Sequence, residues 1–121
     1  MSAYENLPIY KKTKDMTVYF YQIVRHFDRY NKYDIGQEMK TLARKTLSLI
    51  TKANVKQVRR EYLTQAIDSL EELKLTLNIA QDLDAFKDKT HSFEVAFKKV
   101  IEVLKQCEGW LRSQNSLSCK P

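Results

Sequence analysis

Seven cations, Lys40, Arg44, Lys45, Lys52, Lys56, Arg59 and Arg60, lie between Glu38 and Glu61 with no acidic residue among them. The chemistry open to such a run is the neutralisation of phosphates. A solvated helix face ordinarily mixes signs, because opposite charges three or four residues apart support one another. The first sixty residues hold 13 Lys and Arg against 5 Asp and Glu, and residues 61–121 hold 8 against 10, so one half of the chain carries the whole net charge of +6. A basic half joined to a slightly acidic one calls for an anionic partner, nucleic acid first and an anionic membrane surface second. The competing reading is a solvated face, since Lys52 complements the carboxyl end of a helix dipole and long cationic side chains cover apolar surface.

Other reactive residues form no constellation. His26 and His91 fall into no HExxH or Cys/His metal spacing, and His91 with Glu94 reads as a surface pair in the first turn of a helix. There is no GxSxG, no glycine-rich phosphate loop and no inward-facing Glu-x-x-His pair of the di-iron bundles. The chain is therefore read as a non-enzyme that calls for no cofactor and no metal. Cys107 stands at a core spacing and behaves as a small hydrophobe, whereas Cys119 lies in a polar tail and is open to oxidative cross-linking. With no apolar run near the roughly 20 residues of a membrane span and no apolar h-region at the start, the chain is expected in the cytoplasm with both thiols reduced.

The elements that position these residues are written in an apolar spacing that alternates four and three. The stripes are Ile9, Thr13, Met16, Phe20, Ile23, Phe27, Tyr30; then Ile35, Met39, Leu42, Thr46, Leu49, Ala53; then Val55, Val58, Tyr62, Ala66, Leu70, Leu73, Leu77, Ala80; then Phe93, Phe97, Val100, Leu104, Cys107, Leu111. They predict helices over 8–30, 34–53, 55–82 and 88–113, with Asp34 and Gln37 as N-cap and capping box of the second. Connections of one to five residues return each helix antiparallel to the last, so the fold class is all-α, an up-down-up-down four-helix bundle over 1–113 with a flexible tail over 114–121.

On that frame Lys52, Lys56, Arg59 and Arg60 converge where the second helix meets the third. Lys45 shares a face with Lys52, and Arg44 stands beside it, so a basic strip is expected along the hairpin. Helix one carries more aromatic bulk than one core can cover, with Tyr19, Phe20 and Tyr21 consecutive and Tyr10, Val18, Val24 and Tyr33 off the stripe. Either the tyrosines lie half-exposed with wet hydroxyls, or helix one packs against a neighbouring subunit or partner with Tyr19 and Tyr21 as anchors, and base stacking on tyrosine is less favoured because stacking platforms are usually sheets or loops. Gly109-Trp110 reads as structural, the glycine admitting another helix and the indole capping the core.

The block Leu7-Pro8-Ile9-Tyr10-Lys11, the stretch Lys32-Tyr33-Asp34-Ile35-Gly36-Gln37-Glu38-Met39-Lys40, the pair Asp82-Leu83 and the ending Gly109-Trp110-Leu111 resemble the accessory variability determinant (Avd) proteins of diversity-generating retroelements. A sister family, the four-helix proteins encoded in intervening sequences of bacterial 23S ribosomal RNA genes, shares the opening but carries an Asn-Ile-Ala-Glu-Gly run late in helix two. Here that region reads Leu49-Ile50-Thr51-Lys52-Ala53-Asn54, which favours the Avd branch. The resemblance implies a pentameric four-helix bundle that binds RNA or DNA and assists a reverse transcriptase in copying template RNA into mutagenised cDNA. It carries no residue-level binding motif, so Arg44, Lys45, Lys52, Lys56, Arg59 and Arg60 rest on charge alone. A helical interaction scaffold would leave those cations idle. A peripheral membrane protein is disfavoured by Glu61, Asp68, Glu71 and Glu72, which anionic lipid repels.

Overall fold

A computed structural model describes residues 7–88 and 90–119, those from 116 by backbone alone. The order is α1 (Pro8–Val24), α2 (Arg29–Tyr33), α3 (Ile35–Lys52), a 3₁₀ turn (Lys56–Val58), α4 (Arg59–Asp82) and α5 (His91–Cys119). The four long helices pack in a ring, α1 on α3, α3 on α4, α4 on α5 and α5 back on α1. That neighbour order is the antiparallel four-helix bundle that the stripe spacing and short connections predict. Met16 and Phe20 of α1, Met39 and Ile50 of α3, Leu63, Leu70, Leu73 and Leu77 of α4, and Val100 and Val103 of α5 fill the interior. Buried Thr13, Thr17 and Thr46 satisfy their hydroxyls by donating to the carbonyls of Ile9, Thr13 and Leu42, and Thr17 reaches Ala43 O on α3 as well. Burial pushes the Cys107 thiol up to about 12, with the charge of Glu108 adding to it, so this cysteine is an inert core residue.

Four boundaries differ from the sequence reading, each for a local reason. Helix one does not run to Tyr30: it stops at Val24, and the amides of His26 and Phe27 donate to the carbonyls of Ile23 and Val24 in tighter turns. Phe27 is thereby buried edge-on against Phe86, ring centroids 5.2 Å apart, and tertiary docking overrides helix continuation. A new short helix starts at Asp28, whose carboxylate accepts from Asn31 N at 3.3 Å and from Asn31 Nδ2 at 2.7 Å. These bonds hold its pKa below the ordinary carboxylate value. Tyr30 is consequently 77% exposed, not core. Asp34 stands at the N-cap of α3 but makes no capping bond, and Gln37 donates to Thr41 Oγ1 instead. Val55, expected in the core, sits in the turn before α4 and is exposed. The last helix begins at His91, after Asp88 accepts from the Ser92 amide and hydroxyl, and it runs to Cys119, past the expected end at Ser113. Residues 120–121 of the expected tail, and the Cys119 side chain, lie outside the described residues.

Two close fits hold the corners. A Cβ on Gly36 would stand 2.7 Å from Val24 Cγ1, 3.0 Å from Asn31 O and 3.3 Å from Phe27 Cδ2, so α3 meets the end of α1 with no room for a methyl. The end of α4 closes as a Schellman motif: Asp84, at φ 56°, donates its amide to Gln81 O, and Ala85 donates to Ala80 O, with both alanines buried.

Arg59 locks the opposite pole. Its Nε donates to Ala53 O at 2.8 Å, one terminal nitrogen to Asn54 O at 3.0 Å, and the other to Gln114 Oε1 at 3.3 Å. The guanidinium lies 4.8 Å from the Trp110 ring centroid. One side chain thus caps the carboxyl end of α3 and ties α4 to α5, which stays helical through residues expected as a polar tail. Gly109, by contrast, admits no neighbouring helix: a Cβ there would meet only Arg112 at 3.7 Å.

Two stability outcomes follow. Gly36→Ala gains about 1 kcal/mol of helix propensity but forces contacts that overpacking puts at about 1–3 kcal/mol, so urea denaturation will show net destabilisation. Arg59→Ala will cost about 2 kcal/mol through lost charged hydrogen bonds and ring stacking, while the neighbouring exposed Arg60→Ala will stay within about 0.5 kcal/mol. Equal midpoints for these two variants would remove Arg59 from the clamp.

Candidate nucleic-acid interface

The cations of α3 divide between two grooves. At about 100° per residue, Lys45 and Lys52 share one face and Arg44 lies about a quarter-turn round. Lys52 Nζ sits 5.7 Å from the ring centroid of Tyr62 on α4, so its face borders the α3–α4 groove. Arg44 lines the α1–α3 groove, a 430 Å³ depression shared with Thr17, Val18, Tyr21, Gln22, Arg25 and Leu47. Lys40 leans to the same side, 5.2 Å from the Tyr21 ring. The single strip expected along the hairpin is therefore two basic edges flanking α3.

At the far pole Lys52, Lys56 and Arg60 are exposed, whereas Arg59 is half-buried and already bonded to two carbonyls and Gln114. Residue type and spacing do not distinguish such a clamp from a free cation. Arg44, Lys45, Lys52, Lys56 and Arg60 enter none of the ion pairs found among the described residues. Those pairs join Lys12 to Glu102, Lys74 to Glu71 and Lys99 to Asp15. Asp15, the one carboxylate of α1, is thus turned to α5 and leaves the α1–α3 groove uncompensated.

Sequence reading missed Arg25. It is the C-cap residue of α1, exposed, and it completes the Val18, Tyr21, Arg25 face at spacings of three and four. That signal was present, but Arg25 falls outside the acid-free window. Also missed was Leu75, Ile79 and Leu83, a row at i, i+4 and i+8 on the outer side of α4, each half or more exposed. Spacing by four reads as core, and only the packed bundle shows it turned out. Tyr19 and Tyr21, the expected interface residues, are each half-buried and partly covered by a lysine, Tyr19 by Lys99 at 5.4 Å.

Chemistry beyond charge is sparse. Among the described residues no three His, Cys, Asp or Glu side chains gather as a metal ion requires, and no helix is long and apolar enough to cross a membrane. His91 and Glu94 lie exposed in the first turn of α5. The lowered pKa values belong to Asp28 and Asp88, whose carboxylates accept hydrogen bonds from Asn31 and Ser92 at helix starts. The arrangement gathers exposed cations and half-buried aromatic rings along the two grooves flanking α3.

No curated protein matches the chain. A family model described as bAvd-like matches residues 7–114, a span that takes in α1, α3 and α4 whole, α5 as far as Gln114, both basic edges of α3 and the corner at Gly36. The chain belongs to the bAvd-like family.

Proposed function

We propose that this protein is a non-catalytic accessory factor that binds RNA or DNA through its phosphates and partners a retroelement reverse transcriptase in template-directed, mutagenic cDNA synthesis. The observation that carries the reading is that Arg44, Lys45, Lys52, Lys56 and Arg60 are exposed and joined to no carboxylate among the described residues. Family membership supplies the retroelement context. Arg25 extends the basic surface along the α1–α3 groove, and helix faces of Lys and Arg position a backbone more readily than they read base edges. Membrane binding is a poor fit, because the outer side of α4 presents Glu61, Asp68, Glu71 and Glu72 to solvent.

Self-association is part of the same proposal. Leu75, Ile79 and Leu83 leave an apolar row uncovered on α4, and the resemblance to Avd proteins implies a barrel-shaped pentamer. A heterologous contact of this row with a different face of the next copy closes a ring. Tyr19 and Tyr21, half-buried on α1, are our candidates for the receiving side.

Affinity for a labelled RNA hairpin or duplex DNA will fall steeply with salt. If about four to six cations engage per protomer, raising salt from about 50 to about 200 mM weakens binding roughly 10²- to 10³-fold. Replacing Lys45, Lys52, Lys56 and Arg60 together by Glu will abolish binding in fluorescence anisotropy while leaving the circular dichroism spectrum intact. Undiminished binding by the folded variant would reduce these cations to a solvated face. Light scattering at micromolar concentration will report a mass several times 14.3 kDa, and Leu75→Glu with Ile79→Glu will lower it, since burying an unpaired carboxylate is costly. A wild-type mass of one chain would end the ring assignment.

A further inference from the structure

The segment between α1 and α3 is anchored at both ends and exposed in the middle. Phe27 is buried against Phe86 on the entering side, and Ile35 and Gly36 are buried on the leaving side. Between them α2 buries none of its five residues. Its two tyrosines, Tyr30 and Tyr33, are 77% and 71% exposed, whereas Tyr19, Tyr21 and Tyr62 are half-buried beneath lysines. Three residues apart on a helix, Tyr30 and Tyr33 are neighbours on one side. With Arg29 and Asp34 they line a 560 Å³ open depression.

The segment is also held still. The Asp28 carboxylate caps α2 through Asn31, and the Asn31 carbonyl lies against Gly36, 3.0 Å from where a Cβ would stand. Two large rings are thus presented to solvent on a short, locked helix, with nothing in the bundle gained by their burial. Rigid aromatic faces of this kind bind flat, neutral π-systems at low entropic cost.

The charges around the rings choose the ligand. Arg29 flanks the depression with a cation, and Arg25, four residues earlier, leads from it into the basic α1–α3 groove with Arg44. Asp34 contributes a carboxylate that makes no capping bond to α3, which repels a phosphate and accepts an N–H from a base. A phosphate on Arg29, a base over the tyrosines and a backbone running on along the groove match a nucleic acid strand. A duplex hides its base faces in the stack, so only a single strand can use the platform.

We infer that Tyr30 and Tyr33 form a base-stacking platform that gives this protein a preference for single-stranded over duplex nucleic acid. The inference rests on the phosphate binding proposed above and adds a strand preference to it.

The test is fluorescence anisotropy of full-length protein with a labelled single-stranded RNA 20-mer and a duplex of the same length, beside circular dichroism and light scattering. Tyr30→Ala with Tyr33→Ala will weaken single-strand binding about ten- to hundred-fold while moving duplex affinity by less than about two-fold, at unchanged helicity and mass. Tyr30→Phe with Tyr33→Phe, which keeps both rings, will bind as the wild type does. A single-strand affinity within about two-fold of wild type in the alanine variant overturns the platform. So does an equal loss on single strand and duplex, and so does a fall in mass, which would place the tyrosines between copies of the chain. Wild-type protein that binds neither probe overturns the phosphate reading and this inference together. Wild-type protein that binds both, with an alanine variant that is unaffected, sinks the platform alone.

Discussion

The close approach at Gly36 sets the geometry on which the functional surface depends. With Val24, Phe27 and Asn31 all within contact of the space a side chain would occupy, α3 can leave the α1 corner in one direction only. That direction fixes the rotation of α3 about its axis. Rotation in turn decides that Arg44 borders the groove with α1 while Lys52 borders α4. A helix turned by one residue, about 100°, would carry cations into the core and Met39 or Ile50 out of it. The apolar stripe and the tight corner therefore specify the charge pattern as strictly as they specify the packing.

Charge is segregated around this bundle by helix. α3 holds one carboxylate, Glu38, against four Lys and Arg, and the single acid of α1 pairs across to α5. The outer side of α4 shows the reverse, an acidic surface around Leu75, Ile79 and Leu83. Like charges along α3 cost a few tenths of a kcal/mol per pair at helical spacing. That cost is tolerated because packing of the apolar stripe, not surface pairing, holds the helix. The cationic aromatic contacts soften it further, since Lys40 and Lys52 rest over tyrosine rings instead of carboxylates.

The bundle was legible because 3.6-residue periodicity survives in all four long helices, and Met16, Leu70 and Val100 lie where their spacing puts them. What could not be read was set by contacts between distant residues. Phe27 leaves the helix for Phe86, fifty-nine positions away in the chain, and Tyr30 loses its place in the core as a result. Gln114 lies within α5, where its side chain accepts from Arg59, fifty-five positions away in the chain. Asp34 has the right residue type for a cap, but its backbone, at φ −112° and ψ −96°, leaves the α3 amides uncapped by its carboxylate. In the candidate site the residue types were visible while their allegiance was not. Arg59 and Arg60 are adjacent and chemically identical, yet one is a structural clamp and the other is free.

These surfaces divide their partners by physical chemistry. The basic edges of α3 attract phosphates, and the acidic outer side of α4 repels them within about a Debye length, about 8 Å at physiological salt. A polyanion is thereby kept off the α4 face that carries Leu75, Ile79 and Leu83, whereas Tyr21 on the receiving side borders the basic α1–α3 groove. Tyr30 and Tyr33 belong to neither class. They sit beyond the start of α3, at the opposite end of the bundle from Lys56 and Arg60, so a strand that used both would have to run the length of α3. At about 1.5 Å per residue that helix is about 27 Å long, which makes the cations along it the path between the two ends.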